Sequence, residues 1–454
     1  MRKRLLLLVV LLLCLPAVGF SQVADLSLDD AVGMALDQNY NLRSKQHALN
    51  ARRWGFRNAV TQFFPRVTFN AVYSKVDETT NAIQNAPIEF FRQFVPDMTL
   101  IPRESYSSDL SVSQPIYNGG SLWANLSVAR NSRKASEQDL QDARLGTILE
   151  AKRAFFDVLM AEDMLDIQTR SVALAEEYLS SARLQLSLGM ISNVDALRWE
   201  LQLANNKAGL VEAENMLDLS RTSLLRAIGA GVEDEFHLVH LTDEEIASAV
   251  ESAQRSLGDD FKTAFHNWKS MALDNSPSMK AVRSTTAINR ALYRQKYSLF
   301  QPSLNFNYTY SWETDDDINL DGLETWRASV VLSFPLFSSL GDYTSLKEAR
   351  EDLKSSEAAE KDFEQALMLQ VSAVASNLKA SLQRIEVARI SSELSRENLK
   401  AVENKYRLGL MDNLNLIDAQ VSNTAAEAEY VSAVYYFLIT RAELDRLLGR
   451  ESLR

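Results

Sequence analysis

Residues able to do chemistry are scarce in this 454-residue chain, and their spacing supports no familiar reaction. Of its four histidines only His237 and His240 lie close together, in the least regular stretch of the sequence and with no third ligand nearby. A zinc site needs three or four donors, so the pair does not make one. The single cysteine, Cys14, falls inside an apolar leader, and without that leader the chain has neither thiol nor disulfide. No glycine-rich phosphate loop and no nucleophile-elbow pattern occurs. Scattered acids recur at helix spacing, as on solvated helix faces. These observations point to a protein with no catalytic residue, no cofactor and no metal.

The leader is legible. Arg2, Lys3 and Arg4 precede an apolar run from Leu5 to Leu15, followed by Pro16 and Gly19-Phe20-Ser21. That is a secretory signal over residues 1–21, with cleavage expected after Ser21. Lipid attachment at Cys14 is disfavoured by bulky Leu13 and by the surrounding apolar run. No other stretch approaches the ~20 apolar residues of a membrane helix, which leaves a periplasmic, secreted or outer-membrane β-barrel protein. A net charge of −12 argues against nucleic-acid binding, and 46% hydrophobic with 24% charged residues argues against disorder.

What positions the remaining residues is a duplication. Ala35-Leu36-Asp37 recurs as Ala272-Leu273-Asp274 and Phe64-Pro65 as Gln301-Pro302, both displaced by 237 positions. Pro115-Ile116-Tyr117 recurs as Pro335-Leu336-Phe337, Gly189 with Asn193 as Gly409 with Asn413, and Gly229 as Gly449, all displaced by 220. The register drops by 17 between Pro65 and Pro115, so the first repeat carries a longer loop there. Long periods mark architectures whose units cannot bury their own faces. The expected organisation is a first repeat at 22–229, an acidic linker or equatorial strap at 230–262, and a second repeat at 263–454. The strap reading rests on Glu233, Asp234, Glu235, Asp243, Glu244 and Glu245.

Each repeat holds a helix, a β-hairpin (64–115 and 302–335) and a long helical hairpin (119–229 and 337–449). The hairpin strands alternate with period two. Leu304, Phe306, Tyr308, Tyr310 and Trp312 oppose Asn305, Asn307, Thr309 and Ser311, and Trp326, Ala328, Val330, Leu332 and Phe334 oppose Arg327, Ser329, Val331 and Ser333. Val67, Phe69, Ala71 and Tyr73 alternate with Thr68, Asn70 and Ser74, and the return strand near Leu110 and Val112 sets Asp109, Ser111 and Ser113 opposite. Apolar outside and small polar inside is the pattern of a lipid-facing barrel around a wet lumen, so Phe69, Tyr73, Phe306, Tyr308, Tyr310, Trp312, Val330 and Leu332 are expected to face lipid. A soluble sandwich shares the alternation. Prolines 65, 115, 302 and 335 are expected at the strand ends, because proline cannot donate to a ladder.

The helices run without proline from about Ser121 to Leu188 and Leu340 to Leu408, roughly 100 Å each. Returns cover about Asn193–Ile228 and Asn413–Leu448. Val172, Ala175, Leu179, Ala182 and Leu186 follow 3,4 spacing, as do Val194, Leu197, Leu201, Ala204, Ala208 and Val211, repeated 220 positions on by Leu414, Ile417, Val421, Thr424, Ala428 and Val431. Four strands cannot close a barrel, and an open edge in lipid leaves backbone groups unpaired, so the chain must oligomerise. Eight strands fill their interior with side chains, which favours three copies or more for a wet conduit.

The chain resembles the TolC family of outer-membrane efflux and secretion channels over its whole mature length. The marks are the paired hairpins, the Pro115-Ile116-Tyr117-Asn118-Gly119-Gly120 step, and the turns Leu188–Asp195 and Tyr406–Leu414. The resemblance implies a mainly α fold with a small β part. Three subunits would build a twelve-stranded outer-membrane barrel continuous with a periplasmic α-helical coiled-coil barrel. It also implies a periplasmic adaptor (membrane fusion) protein and an inner-membrane RND or ABC transporter as partners, with small molecules or, by type I secretion, proteins as cargo. Carried over residue by residue, Gly189, Met190, Gly409 and Leu410 match adaptor-docking turns, and Asp195, Tyr406, Asn415 and Asp418 match the periplasmic gate. Two positions depart from the family: an expected aspartate is Asn415 and an expected arginine is Met411, which implies fewer ion pairs and weaker cation trapping. The chain's end five residues after Gly449 implies a slim waist. The alternative is an exported coiled-coil rod with a small β cap and no transport role.

Overall fold

The computed structural model describes residues 24–231, 236–258, 261–314, 320, 322–338 and 340–451. The leader at 1–21 and the acids Glu233, Asp234 and Glu235 lie outside the described residues. The first repeat runs β1 (Ala24–Leu26), α1 (Leu28–Gln38), α2 (Tyr40–Thr61), β2 (Arg66–Lys75), α3 (Glu78–Arg92), β3 (Glu104–Asn118), α4 (Ser121–Ser187) and α5 (Asn193–Ile228). Then come β4 (Phe236–Leu238), α6 (Asp243–Leu257), α7 (Phe261–Asn275), α8 (Pro277–Tyr297), a 3-10 turn, β5 (Ser303–Thr314), β6 (Leu323–Ser333), α9 (Gly341–Arg407) and α10 (Asn413–Leu447). No helix among the described residues is long and apolar enough to cross a membrane.

The duplication extends to a break that the motifs alone do not show. The first helix of each repeat splits once, at Asn39 with an extended ψ of 116° and at Ser276, where Pro277 disfavours a helical conformation for the residue before it. The helical hairpins end on the split. Gly229 (φ 73°) and Gly449 (φ 69°) lie against Gln38 and Asn275, and a Cβ on either would come within 2.8 Å of that neighbour. Left-handed φ and close approach together require glycine there.

Two compact units cut across the repeats rather than between them. One takes the chain up to Lys45, Leu140–Pro277 and Gln365 onward; the other takes Gln46–Asp139 and Ser278–Glu364. In the helical unit, the run Val172, Ala175, Leu179, Ala182 is buried as its spacing requires. The companion stripe on α5 turns outward instead, while that on α10 is divided, with Leu414 and Val421 exposed and Ile417 packed on the core. Val194, Leu197, Leu201 and Val211 are all more than half exposed, as is Leu414, while Ala196, Trp199, Ala213 and Leu217 form the inner face of α5. The strap, read as irregular, contains β4, parallel to β1, and the amphipathic helix α6. Its acids Asp243, Glu244 and Glu245 are the first turn of α6, where a Thr242–Glu245 capping box and the helix dipole favour them.

The second unit holds an antiparallel sheet in the order β2-β3-β5-β6. The central β3–β5 pairing joins the two hairpins, and among the described residues β2 and β6 are edges without an outer partner. Pro115 does not end its strand: β3 continues to Asn118 through a register shift between Pro115 and Tyr117, as a bulge allows. The extra length of the first hairpin is α3 and its return, where the sequence suggested only a loop.

Candidate gate turns and membrane face

Both helical hairpins reverse through turns of one construction. Gly189 (φ 74°) and Gly409 (φ 71°) end α4 and α9, with Met190 N–H donating to the Gln185 carbonyl and Leu410 N–H to that of Lys405, each at 2.9 Å. Neither glycine has an atom within 4 Å of its would-be Cβ, so these turns stand open. Met190 and Leu410 are 71% and 72% exposed. The next helix is then capped in mirrored chemistry. Ser192 Oγ accepts from Asp195 N–H, and the Asp195 carboxylate accepts from the Ser192 N–H (3.2 Å) and hydroxyl (2.7 Å). In the second turn Asp412 is the cap, accepting from Asn415 N–H at 3.0 Å and from the Asn415 side-chain amide at 2.6 Å. The acid has moved from the third helical position to the cap. An aspartate at 415 would set two carboxylates against each other, which is a local reason for Asn415. The backbone hydrogen bond from Asn415 holds the Asp412 carboxyl below the usual aspartate range.

The other departure also has a packing reason. Met411 and Tyr406 pack against a core of Leu179, Ala182, Trp199, Leu399, Val402, Leu416 and Ala419. Met411 fills apolar space where an arginine would need a partner. Burial raises the Tyr406 hydroxyl above its ordinary range, with Gln185 opposing and Asp195 reinforcing the shift, and the hydroxyl makes no hydrogen bond of ordinary geometry. Asp195 and Tyr406 are thus brought together. Asn415 and Asp418 are exposed on α10. Arg198 reaches Asp195 at 3.8 Å and acts electrostatically on Asp412, so a base from the first repeat lies between the two turns. Arg198 and Asp418 occupy equivalent positions, 220 apart.

The sequence reading missed the residues that tie the turns together. Trp199, fully buried, donates its indole N–H to Asn413 Oδ1 at 3.1 Å, and Asn413 is 4% exposed. Tyr178 lies tilted against Trp199 with ring centroids 4.9 Å apart and donates to Glu403 at 2.5 Å. Higher in the unit, the Ser171 carbonyl accepts from Asn206 (2.9 Å) on α5 and Gln420 (3.2 Å) on α10. The available signal was that Trp199 is the one tryptophan of α5 while its repeat equivalent is Ala419, and a buried indole N–H needs an acceptor.

His237 and His240 have separate neighbours. His237 sits in β4 opposite Asp25, and His240 meets Glu162 at 3.3 Å and Asp163 at 4.0 Å. No cluster able to hold a metal occurs among the described residues.

The sheet register separates two faces. Directly opposed residues share a face, so Phe69, Tyr73, Leu110, Phe306, Tyr308, Tyr310, Trp312, Trp326, Val330 and Leu332 lie together. Tyr73–Tyr106, Tyr308–Trp326 and Tyr310–Trp312 ring contacts cover this face. The opposite face is hydrogen-bonded side chain to side chain: Thr68 with Ser111 (2.6 Å), Asn70 to Asp109 (3.0 Å) and Ser113 to Asn307 (3.0 Å). At the strand–helix junction Phe64, Tyr117, Trp123, Phe334 and Phe337 are exposed, an aromatic girdle of the kind found at membrane interfaces.

The model of the outer membrane efflux protein family matches residues 31–230 and 268–450. The cobalt-zinc-cadmium resistance protein CzcC of Cupriavidus metallidurans is 22% identical over 94% of this chain and 90% of its own length. The outer membrane protein TolC of Vibrio cholerae is 24% identical over 77% and 78%, and the alkaline protease secretion protein AprF of Pseudomonas aeruginosa 22% over 76% and 70%. Among solved structures, the CusC channel superposes with a TM-score of 0.79 at 13% identity, covering 96% of this chain and 95% of its own. The CmeC outer membrane channel of Campylobacter jejuni superposes at 0.77 and 14%, covering 93% and 85%.

Proposed function

Because the chain belongs to the outer membrane efflux protein family, we propose that three copies close a twelve-stranded barrel in the outer membrane above a periplasmic helical tunnel. The observation that carries this reading is the open four-stranded sheet, apolar on one face and with both edges unpaired. Lipid does not tolerate unpaired backbone, so β2 of one copy pairs with β6 of the next. Phe69, Tyr73, Phe306, Tyr308, Tyr310, Trp312, Val330 and Leu332 then face lipid. The outward stripe on α5, with Leu414 and Val421 of α10, packs on neighbouring copies, which gives these exposed apolar residues a partner. A rod with a β cap would leave both the aromatic face and these stripes in water.

The two turns are the tunnel's closed end. Asp195, Tyr406, Asn415 and Asp418 line its gate, and Gly189, Met190, Gly409 and Leu410 dock a periplasmic adaptor that links the tunnel to an inner-membrane RND or ABC pump. Relatives named for metal resistance and for protease secretion support export of small molecules or of proteins. Arg198 alternates with Asp418 around the mouth, so the ring is mixed in charge and traps cations weakly. Single-channel recording tests this. Arg198→Ala is expected to deepen block by multivalent cations and Asp418→Ala to relieve it; wild-type block in both variants refutes the assignment of the gate.

A further inference from the structure

We infer that α3 is an intersubunit clasp, its apolar stripe docking on a second copy of this chain at the seam where β2 of one copy meets β6 of the next. The inference rests on the barrel closure proposed above and concerns the end of the sheet where β2 stops and β6 starts, which neither the lipid-facing residues nor the gate turns use.

Ile83, Pro87, Phe90 and Phe94 follow one another at intervals of four, three and four, so they form one face of α3 and its continuation. All four are exposed, Phe94 by 72%, and Phe90 gathers Phe91 and Phe94 with ring centroids 5.5 and 6.1 Å away. The opposite side carries amides, and they are the residues turned inward. Asn85, 6% exposed, exchanges both hydrogen bonds with the backbone of Ile101, at 2.9 and 2.7 Å, and Asn81 adds a third at 2.9 Å. Asp77 caps the helix by accepting from Thr80 N–H at 3.0 Å. The segment is therefore a built unit with its amides inside and its aromatic rings outside, the reverse of a helix content in water. Exposed patches of this kind mark interaction surfaces.

Topology names the occupant. α3 begins three residues after Lys75, the last residue of the edge strand β2. The pairings Lys75 with Glu104 and Glu313 with Leu323 put the end of β2 and the start of β6 at the same end of the sheet. Closure therefore brings α3 beside Leu323 of the next copy, which is exposed within its own chain. Apart from Pro115 at the bulge, the polar face of the sheet is also apolar only at its edges. Val72 lies there on β2, and Leu323 and Val331 on β6, while the inner strands carry Ser105, Ser107, Asp109 and Asn305, Asn307, Thr309. A lipid surface fits less well. Asp77, Glu78, Glu89 and Asp97 outnumber Arg92 and Arg103 in this segment, whereas helices lying on anionic headgroups are rich in Lys and Arg.

Cys14 is the only cysteine and lies in the leader, so introduced thiols have no competitors. In full-length protein extracted from membranes, Phe94→Cys with Leu323→Cys is expected to give reducible cross-links between copies, and either substitution alone none. Ile83→Ser with Phe90→Ser and Phe94→Ser is expected to leave the trimer mass unchanged and lower the temperature at which the trimer dissociates. A trimer without the cross-link and with unchanged dissociation temperature overturns the clasp, as does a photo-crosslinker at position 94 that captures lipopolysaccharide instead of a second copy. A monomeric wild-type protein overturns barrel closure itself.

Discussion

Removing one acceptor inside the tip should loosen both turns at once. The indole N–H of Trp199 has Asn413 Oδ1 as its partner, both side chains are buried, and the two residues lie near the starts of the return helices of different repeats. Asn413→Ala leaves that N–H orphaned away from water, at a cost of about 1–3 kcal/mol. If this is the free energy that opposes local opening, exchange of the backbone amides nearby should accelerate between about 5-fold and about 160-fold, at 1.36 kcal/mol per tenfold. Hydrogen exchange followed by mass spectrometry on peptides spanning 188–203 and 406–420 reads both turns in one experiment. Acceleration is expected in both, because Trp199 belongs to the first and Asn413 to the second, while a peptide from the buried Ala151–Leu159 stretch of α4 stays protected. Trp199→Phe should cost more alone, since it also removes ring volume, but adding Asn413→Ala to it should cost less than Asn413→Ala alone. A coupling of about 0.5–3 kcal/mol is expected for groups in direct contact. Faster exchange confined to 406–420, or strict additivity of the two substitutions, refutes the claim that this bond ties the turns together.

Other substitutions separate crowding, lipid exposure and charge burial. Gly229→Ala and Gly449→Ala should lower the melting temperature more than Gly189→Ala and Gly409→Ala, because all four positions have positive φ but only the first two would drive a Cβ into a neighbour. Melting curves in detergent check this, and equal shifts would refute it. Tyr308→Arg should impair membrane assembly, at about 2–4 kcal/mol for a charge on the lipid face, whereas Asn307→Arg on the opposite face should assemble normally; outer-membrane fractionation reports both. Burial raises the Asp163 carboxyl above 3.8, although Tyr435 donates to it at 2.9 Å and His240 lies near. The folded state therefore holds this proton more tightly than the unfolded chain. Stability should fall as pH rises from 3.8 through the folded value. Asp163→Asn, which keeps an acceptor for Tyr435, should abolish that part of the pH dependence of melting.

The long helices and the sheet were legible because their signals are local and repeated. Proline's absence between Pro115 and Pro277 gave α4 and α5 nearly to the residue, and strict alternation put Tyr308 and Asn307 on opposite faces before any register was known. The 3,4 stripe of Val194, Leu197 and Leu201 was real, but spacing alone does not say whether a stripe meets its own chain or another, and here it faces outward. The helix α6 was hidden because its acidic first turn resembles a solvated linker unless Thr242 is recognised as its cap. At the proposed gate, Asn415 and Met411 stood out as substitutions, while their reasons lay in three dimensions: a cap moved to Asp412, and a core that Met411 completes. Trp199 and Asn413 were not paired in advance, since they are 214 residues apart and no periodicity links them.

The most direct test of the account is the native mass of the protein extracted in mild detergent, read beside its amide I spectrum. Three copies with antiparallel strand signal intact is the expected result, because β2 and β6 each need an outer partner that the described residues of one chain do not supply. A stable monomer that keeps the full strand signal would contradict the account, since it would show that this sheet tolerates open edges and closes no barrel.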